Sequence, residues 1–214
     1  MMREHWEHVY AQKDPTQLSW YQREPARSLA LIDESLAALA PSERQTRRII
    51  DVGGGVSTLV EHLLDRPSVE ICVMDIAGLA LAHARRRLGE RAARARWIEA
   101  DVSKPIPEPG PAWADLWHDR AVYHFLTSPD QRAGYAANLS RILKPGGRAI
   151  IATFAPDGPP RCSGLDVCRH DGASIVRELG GASAGLSLVR EEREDHVTPW
   201  GATQRFVYAL IDRR

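Results

Sequence analysis

The chain has no apolar run long enough to cross a bilayer, and its start, Met1-Met2-Arg3-Glu4-His5-Trp6, is charged rather than apolar. A membrane span and a secretory leader are therefore not expected. Cysteine is scarce: Cys72, Cys162 and Cys168 are the only three. Their number and spacing do not suit a disulfide framework, which fits a reducing compartment, so a cytoplasmic location is expected. Charge of one sign is not in excess either. Lys plus Arg number 28 and Asp plus Glu number 28, so no overall bias toward nucleic acid or an anionic membrane is expected, and partners must be argued from sites. Internal repeats and low-complexity tails are absent. The 214 residues suit one large domain with a proper core.

What is present is periodicity. Trp6, Val9 and Tyr10 share a helical face, and after Pro25 the residues Leu29, Ile32, Leu36 and Leu39 recur at helical spacing. Between them "DPTQLSWYQRE" reads as a loop with exposed aromatics. From Arg48 strands and helices alternate: strand "RIIDV", helix Ser57 to Leu64, strand "VEICVMD", helix Ala77 to Leu88, strand "ARWIEAD", a proline-rich loop, strand "ADLWHDR" and a short helix. Ser128 and Gln131 have the spacing of a capping box opening a helix to Leu143, "KPGG" is expected to stop it, and "RAIIATF" is a fifth strand. A loop from Ala155 to His170, a helix from about Gly172 to Leu179 and strands at Leu186 to Val189 and Gln204 to Ile211 complete the chain. Apolar strands alternating with helices imply a doubly wound α/β fold, a parallel sheet covered on both faces.

In such sheets ligands sit beyond the strands' carboxyl ends, and "IIDVGGGVSTLVEHLL" puts Gly53, Gly54 and Gly55 where the first strand hands over to a helix. Glycine there permits a tight turn and close approach to the main chain, which suggests a nucleotide. A dinucleotide fingerprint would need a third glycine, and Thr58 stands in its place. A phosphate loop would end in G-K-[ST], which this loop lacks. Acids end the second and third strands, Asp75 and Asp101.

With Asp51, Gly53 and Gly55 in a D-x-G-x-G arrangement, Asp75, Asp101 and "LKPGG" in order, the chain resembles the class I S-adenosylmethionine-dependent methyltransferases from Arg48 to its end. The resemblance implies a Rossmann-like, seven-stranded, mostly parallel sheet with an antiparallel last strand and helices on both faces. It divides one domain into an N-terminal helical lid (1–45), a cofactor-binding core (46–154) and an acceptor-side loop with C-terminal strands (155–214). It also implies that the glycine turn with Asp51 faces the methionine moiety of S-adenosylmethionine, that Asp75, with Ile76 beside it, holds the ribose, and that Asp101 and Val102 meet the adenine. Ser57 stands where a third glycine is often found, and its hydroxyl could cap the helix or meet the cofactor. Chemically, one carboxylate can accept from two vicinal hydroxyls and another from an exocyclic amine. Plainer readings of the same residues are a simple turn at 53–55, a helix cap at Asp75 and a turn former at Asp101.

Methyl transfer needs an acceptor held in line and shielded from water. Candidates follow the fourth strand in "WHDRAVYHFLTSPDQ": His118, beside the cofactor, and His124, a general base or a packed core histidine. Asp119 and Arg120 read as paired with each other or as caps, and Tyr123 completes the polar set. In "FAPDGPPRCSGLDVCRHD", Cys162 is the third catalytic candidate, and with Cys168 and His170 it could meet a soft acceptor such as a thiol, selenium, tellurium or arsenic species, or simply pack. "EDHVTPWG" adds His196 and Trp200. Cys72 reads as a packing residue and no metal site is expected. The N-terminal Trp6 and Tyr10, with Trp20 in "SWYQ", resemble the lid of a subgroup that includes small-molecule thiol and chalcogen methyltransferases and relatives of the citrate synthase lysine methyltransferase, and they imply folding over the cofactor; alternatively they staple a helix to the body.

The expected function is methyl transfer from S-adenosylmethionine, leaving S-adenosylhomocysteine, to a small-molecule acceptor, with no nucleic-acid or membrane partner; the oligomeric state stays open. Methylation of protein lysine, NAD-dependent oxidoreduction and non-catalytic nucleotide binding are the alternatives. Arg85, Arg86 and Arg87 read as a solvated helix face.

Overall fold

The apolar runs become strands buried on both faces. The computed structural model describes residues 2–39 and 46–214. Its strands are β1 (Arg47–Val52), β2 (Val69–Asp75), β3 (Arg96–Glu99), β4 (Ala114–Arg120), β5 (Leu143–Phe154), β6 (Arg161–Cys162), β7 (Leu165–Asp166), β8 (Leu186–Val197) and β9 (Thr203–Arg213). Seven form one sheet in the order β3-β2-β1-β4-β5-β9-β8, and β6 pairs with β7 as a small hairpin. β1 to β5 run parallel; β9 is antiparallel to β5, and β8 to β9. This is the expected mostly parallel sheet with an antiparallel last strand.

Successive strand residues point to opposite faces, and both faces are packed. Ile49, Ile71 and Ile150 enter one core with α1 (Met2–Gln12), α2 (Ala26–Ala38), α3 (Leu59–Leu64) and α4 (Gly78–Leu88). Ile50, Cys72 and Ile151 enter the other, with α5 (Pro129–Ile142) and α6 (Gly172–Glu178). Ser128 and Gln131 close the expected capping box on α5, each side chain accepting from the other's backbone N–H. Helix α4 has no side-chain cap of its own. Glu7 on α1 supplies one, accepting from Gly78 N at 2.7 Å and Leu79 N at 3.2 Å, which fastens α1 over the end of β2.

Several sequence expectations are corrected. The buried face of α2 is Ser28, Leu31, Ile32 and Ser35, with Leu29 and Leu36 half-buried. "KPGG" lies inside β5, which starts at Leu143; Gly146 at φ +77° and a register shift between Ala114 and Leu116 make an irregular strand start rather than a stop. β8 continues to Val197 because, as the sheet's outer strand, it alternates with solvent, and its charged residues Arg190 to Asp195 hide the strand pattern. The lid-to-core boundary falls at 40–45, outside the described residues. Among the described residues no helix is long and apolar enough to cross a membrane.

Candidate active site

The strand order reverses beside β1, which leads to β2 on one side while β4 leads to β5 on the other; a crevice opens at the carboxyl ends of such strands. Two adjoining cavities lie there, of about 820 and 530 Å³, sharing Trp20, Val52, Gly53 and Arg120 as lining.

The glycine turn separates them. Gly53 takes φ +70°, and Gly53 N and Gly54 N both donate to Met74 O, at 2.7 and 3.2 Å. A Cβ on Gly54 would stand 2.2 Å from Asp51 Oδ2, and one on Gly55 2.6 Å from Asp75 Oδ2. The missing side chains thus let two carboxylates press against the turn. Asp75 accepts from Gly55 N at 3.0 Å and Ala77 N at 2.9 Å, and burial pushes its pKa up to about 6 despite those bonds. It lines the larger cavity with Ile76, Asp101 and Val102. Asp101 Oδ1 accepts from Ser103 N at 2.9 Å and Ser103 Oγ at 2.7 Å, which leaves Oδ2 to accept from a ligand.

The smaller cavity is lined by Asp51, Gly54, Ser57 and His118. Asp51 Oδ1 is 2.7 Å from His118 Nδ1, and His118 Nε2 is 2.9 Å from Ser28 Oγ. A carboxylate only accepts, so Nδ1 carries the hydrogen of that contact. Asp51 Oδ2 is buried with no partner, an acceptor awaiting a donor. Ser57 Oγ accepts from Leu59 N at 3.1 Å, a local cap.

Over the larger cavity lies an aromatic cover: Trp6 is 5.0 Å from Phe125 and 5.6 Å from Trp20 between ring centroids, and Tyr10 joins it at 6.0 Å. Burial, then the nearness of Asp75 and Cys162, holds the Tyr10 hydroxyl well above its usual pKa. Cys162 lines the same cavity with Sγ 4.0 Å from Ser19 Oγ, and burial raises its thiol, so it stays protonated at neutral pH.

The remaining expected residues lie elsewhere. His124 lines neither cavity; it is buried with its ring 4.4 Å from Phe125 and 4.6 Å from Phe154, its Nδ1 accepts from Phe154 N at 3.3 Å, and burial drives its pKa down to about 3. A general base must reach the proton it removes, and this ring packs in the core instead. Gly55 and Cys168 also line neither cavity, and Cys168 Sγ is 3.9 Å from Arg132 Nη1. His196 is buried and its Nε2 sits 2.7 Å from Ser19 O, while Trp200 is 62% exposed. Asp119 and Arg120 do not pair: neighbours on a strand face opposite ways. Asp119 accepts from Val122 N and Tyr135 OH, both at 2.8 Å, and burial raises its pKa to about 7. Arg120 turns to the other side and lines both cavities. Sequence reasoning passed over its position there, and also Glu7 and Phe125; strand alternation counted from Asp119 was the signal for Arg120. Among the described residues no group of three His, Cys, Asp or Glu could hold a metal.

A family profile described as a methyltransferase domain matches residues 50–149. The demethylmenaquinone methyltransferase of Thermus thermophilus is 31% identical over 144 residues, covering 67% of this chain and 62% of its own length, so the chain spans about three fifths of that relative. Among solved structures, one from a study of the conversion of a disulfide bond into a thioacetal group during echinomycin biosynthesis superposes with TM-score 0.76 at 18% identity, over 100% of this chain and 92% of that one. The 1,6-didemethyltoxoflavin-N1-methyltransferase of Burkholderia thailandensis, solved with 1,6-didemethyltoxoflavin and S-adenosylhomocysteine, gives 0.64 at 19% identity over 99% of this chain and 84% of that one. At these identities the superpositions speak for the fold.

Proposed function

Because the chain carries a methyltransferase domain and belongs to the class I S-adenosylmethionine-dependent methyltransferases, we propose that it methylates a small-molecule acceptor held beneath its N-terminal helix. The observation that carries the reading is a pair of joined cavities with hydrogen-bond acceptors at both ends. Asp75 and Asp101 line one, and Asp51, whose Oδ2 is buried without a hydrogen-bond partner, lines the other. In this reading Asp101 accepts from the adenine amine, Asp75 from the ribose hydroxyls and Asp51 from the ammonium of the amino-acid tail. When bound, S-adenosylmethionine supplies a methyl group on a sulfonium, electrophilic without further activation. The protein's share is positioning and exclusion of water: Trp6, Tyr10, Trp20 and Phe125 close the larger cavity, and the Asp51–His118–Ser28 chain holds the β1 turn in shape.

The demethylmenaquinone methyltransferase relative favours a ring-borne acceptor, and nothing in the comparisons singles out a thiol or chalcogen. The test is titration calorimetry with S-adenosylhomocysteine and, separately, NAD. S-adenosylhomocysteine is expected to bind, and Asp75→Asn and Asp101→Asn each to weaken it about 10- to 100-fold, the worth of a hydrogen bond to a charged group. Tighter binding of NAD, or wild-type affinity in both variants, would end this reading. Release of S-adenosylhomocysteine with a hydroquinone, thiols, selenite and a lysine-rich protein then sorts the acceptors.

A further inference from the structure

Arg120 sits where the two cavities meet, and among the described residues it is the only arginine or lysine lining either one. Its side chain is 9% exposed. Nε donates to Tyr208 OH at 2.9 Å and Nη1 to Trp20 O at 3.0 Å. Nη2 is buried, makes no hydrogen bond and stands 3.5 Å from Glu194 Oε2. A guanidinium carries five N–H donors, so the bonds of Nε and Nη1 and the ion pair of Nη2 with Glu194 leave Arg120 further donors where it lines the cavities.

The position decides which ligand. Resting on the proposed function, a cofactor whose nucleoside occupies the larger cavity and whose amino-acid tail occupies the smaller one would put its sulfonium near the junction. Two cations there would repel each other. Glu194 and the face of Phe206, 4.8 Å from the guanidinium carbon, offset part of the charge on Arg120. An anion between the cations would be attracted by both. We propose that Arg120 binds the ionised group of the methyl acceptor, and that the acceptor is a compact ring carrying an acidic S–H or O–H, a thiophenol or phenol type of molecule, rather than an amine.

The other titratable groups facing Arg120 are compatible with this. Glu194 and Tyr208 are its partners, and the Cys162 thiol, raised by burial, remains neutral. His124 and His196 are held below their usual pKa by burial, then by like charge, with Arg120 contributing. Neither competes for the anion. The acceptor's proton leaves to bulk water on binding. Its lone pair then forms the bond to the methyl carbon as the carbon–sulfur bond breaks, the electron pair stays on sulfur, and both charges cancel.

The test uses the full chain saturated with S-adenosylhomocysteine and three coloured or ultraviolet-absorbing probes: 4-nitrophenol, 4-nitrothiophenol and nitrobenzene, the last carrying no acidic group. On the wild type, absorption titration is expected to show the bound phenol or thiophenol ionising at least one pH unit below its free value, a tenfold preference for the anion. Whichever of the two shifts further identifies oxygen or sulfur. In Arg120→Gln/Glu194→Gln, which removes both charges together and is again saturated with S-adenosylhomocysteine, the shift should vanish while nitrobenzene still binds; Arg120→Lys should keep part of it. A wild-type probe that titrates as when free overturns the proposal, as does a shift surviving in the double variant. Loss of nitrobenzene along with the acidic probes would assign Arg120 to holding the 18–22 loop alone, and would also overturn it. Failure of S-adenosylhomocysteine to bind the wild type would instead strike the proposed function.

Discussion

Asp51 divides its work between its two oxygens. Oδ1 engages His118, and Oδ2 is buried beside Gly54 with no partner. If Oδ2 receives the ammonium of an amino-acid tail, the substitution Asp51→Asn should weaken S-adenosylhomocysteine about tenfold or more. 5′-Methylthioadenosine, which has no such tail, should bind Asp51→Asn as it binds wild type, and paired calorimetric titrations would show this; equal losses for both ligands would mean that the residue only shapes the turn. The three glycines illustrate what a sequence motif does and does not say. Their spacing is legible, yet the reason for Gly54 and Gly55 lies in carboxylates from positions 51 and 75 that a Cβ would strike.

Between elements, the decisive contact is the one by which α1 caps α4. Glu7 satisfies two N–H groups at an N-terminus that has no cap of its own. The same helix carries Trp6 and Tyr10 into the cavity wall. Glu7→Ala should lower stability by about 1 kcal/mol and, by loosening the cover, speed dissociation of S-adenosylhomocysteine, measured by stopped-flow displacement. Unchanged dissociation would show that the cover is held elsewhere, for example by Arg120 on Trp20 O, His196 beside Ser19 O and Thr58 donating to Gln22 O at 2.9 Å. The helical periodicity of α1 was readable because Trp6, Val9 and Tyr10 form one buried stripe. That of α2 misled: its buried stripe includes Ser28, which reaches His118, and Ser35, and small polar residues leave no apolar signal.

Over the whole molecule, burial sets the response to pH. His124 titrates near 3 in the fold and near 6.5 in the unfolded chain. Below pH 6.5 the unfolded chain therefore binds the proton that the fold refuses, and stability is lost as pH falls. From pH 6.5 to 5 this one residue costs about 2 kcal/mol, at roughly 1.4 kcal/mol per pH unit. Urea unfolding of His124→Phe, a ring of similar size without the proton, should show a gap to wild type that shrinks or reverses between pH 7 and pH 5 by about that amount; parallel curves would refute the burial argument. Asp119, with its pKa raised to about 7, acts in the opposite sense, holding a proton the unfolded chain has released, so its contribution to stability declines as pH rises toward 7.

Local regularities determined the class of fold and the acids after β2 and β3 that line the larger cavity. A short apolar run, a helical spacing of 3.6 and an acid at a strand's carboxyl end are properties of neighbouring residues, and they survive any arrangement of the rest. Tertiary packing alone decided that His124 is sealed among Phe125 and Phe154, that Asp119 and Arg120 part company across the sheet, and that Glu7 closes a helix 71 residues away. Those outcomes depend on which chain segments meet, and the free energy of a buried charge or an unpaired donor is a property of the groups around it, which no stretch of sequence carries by itself.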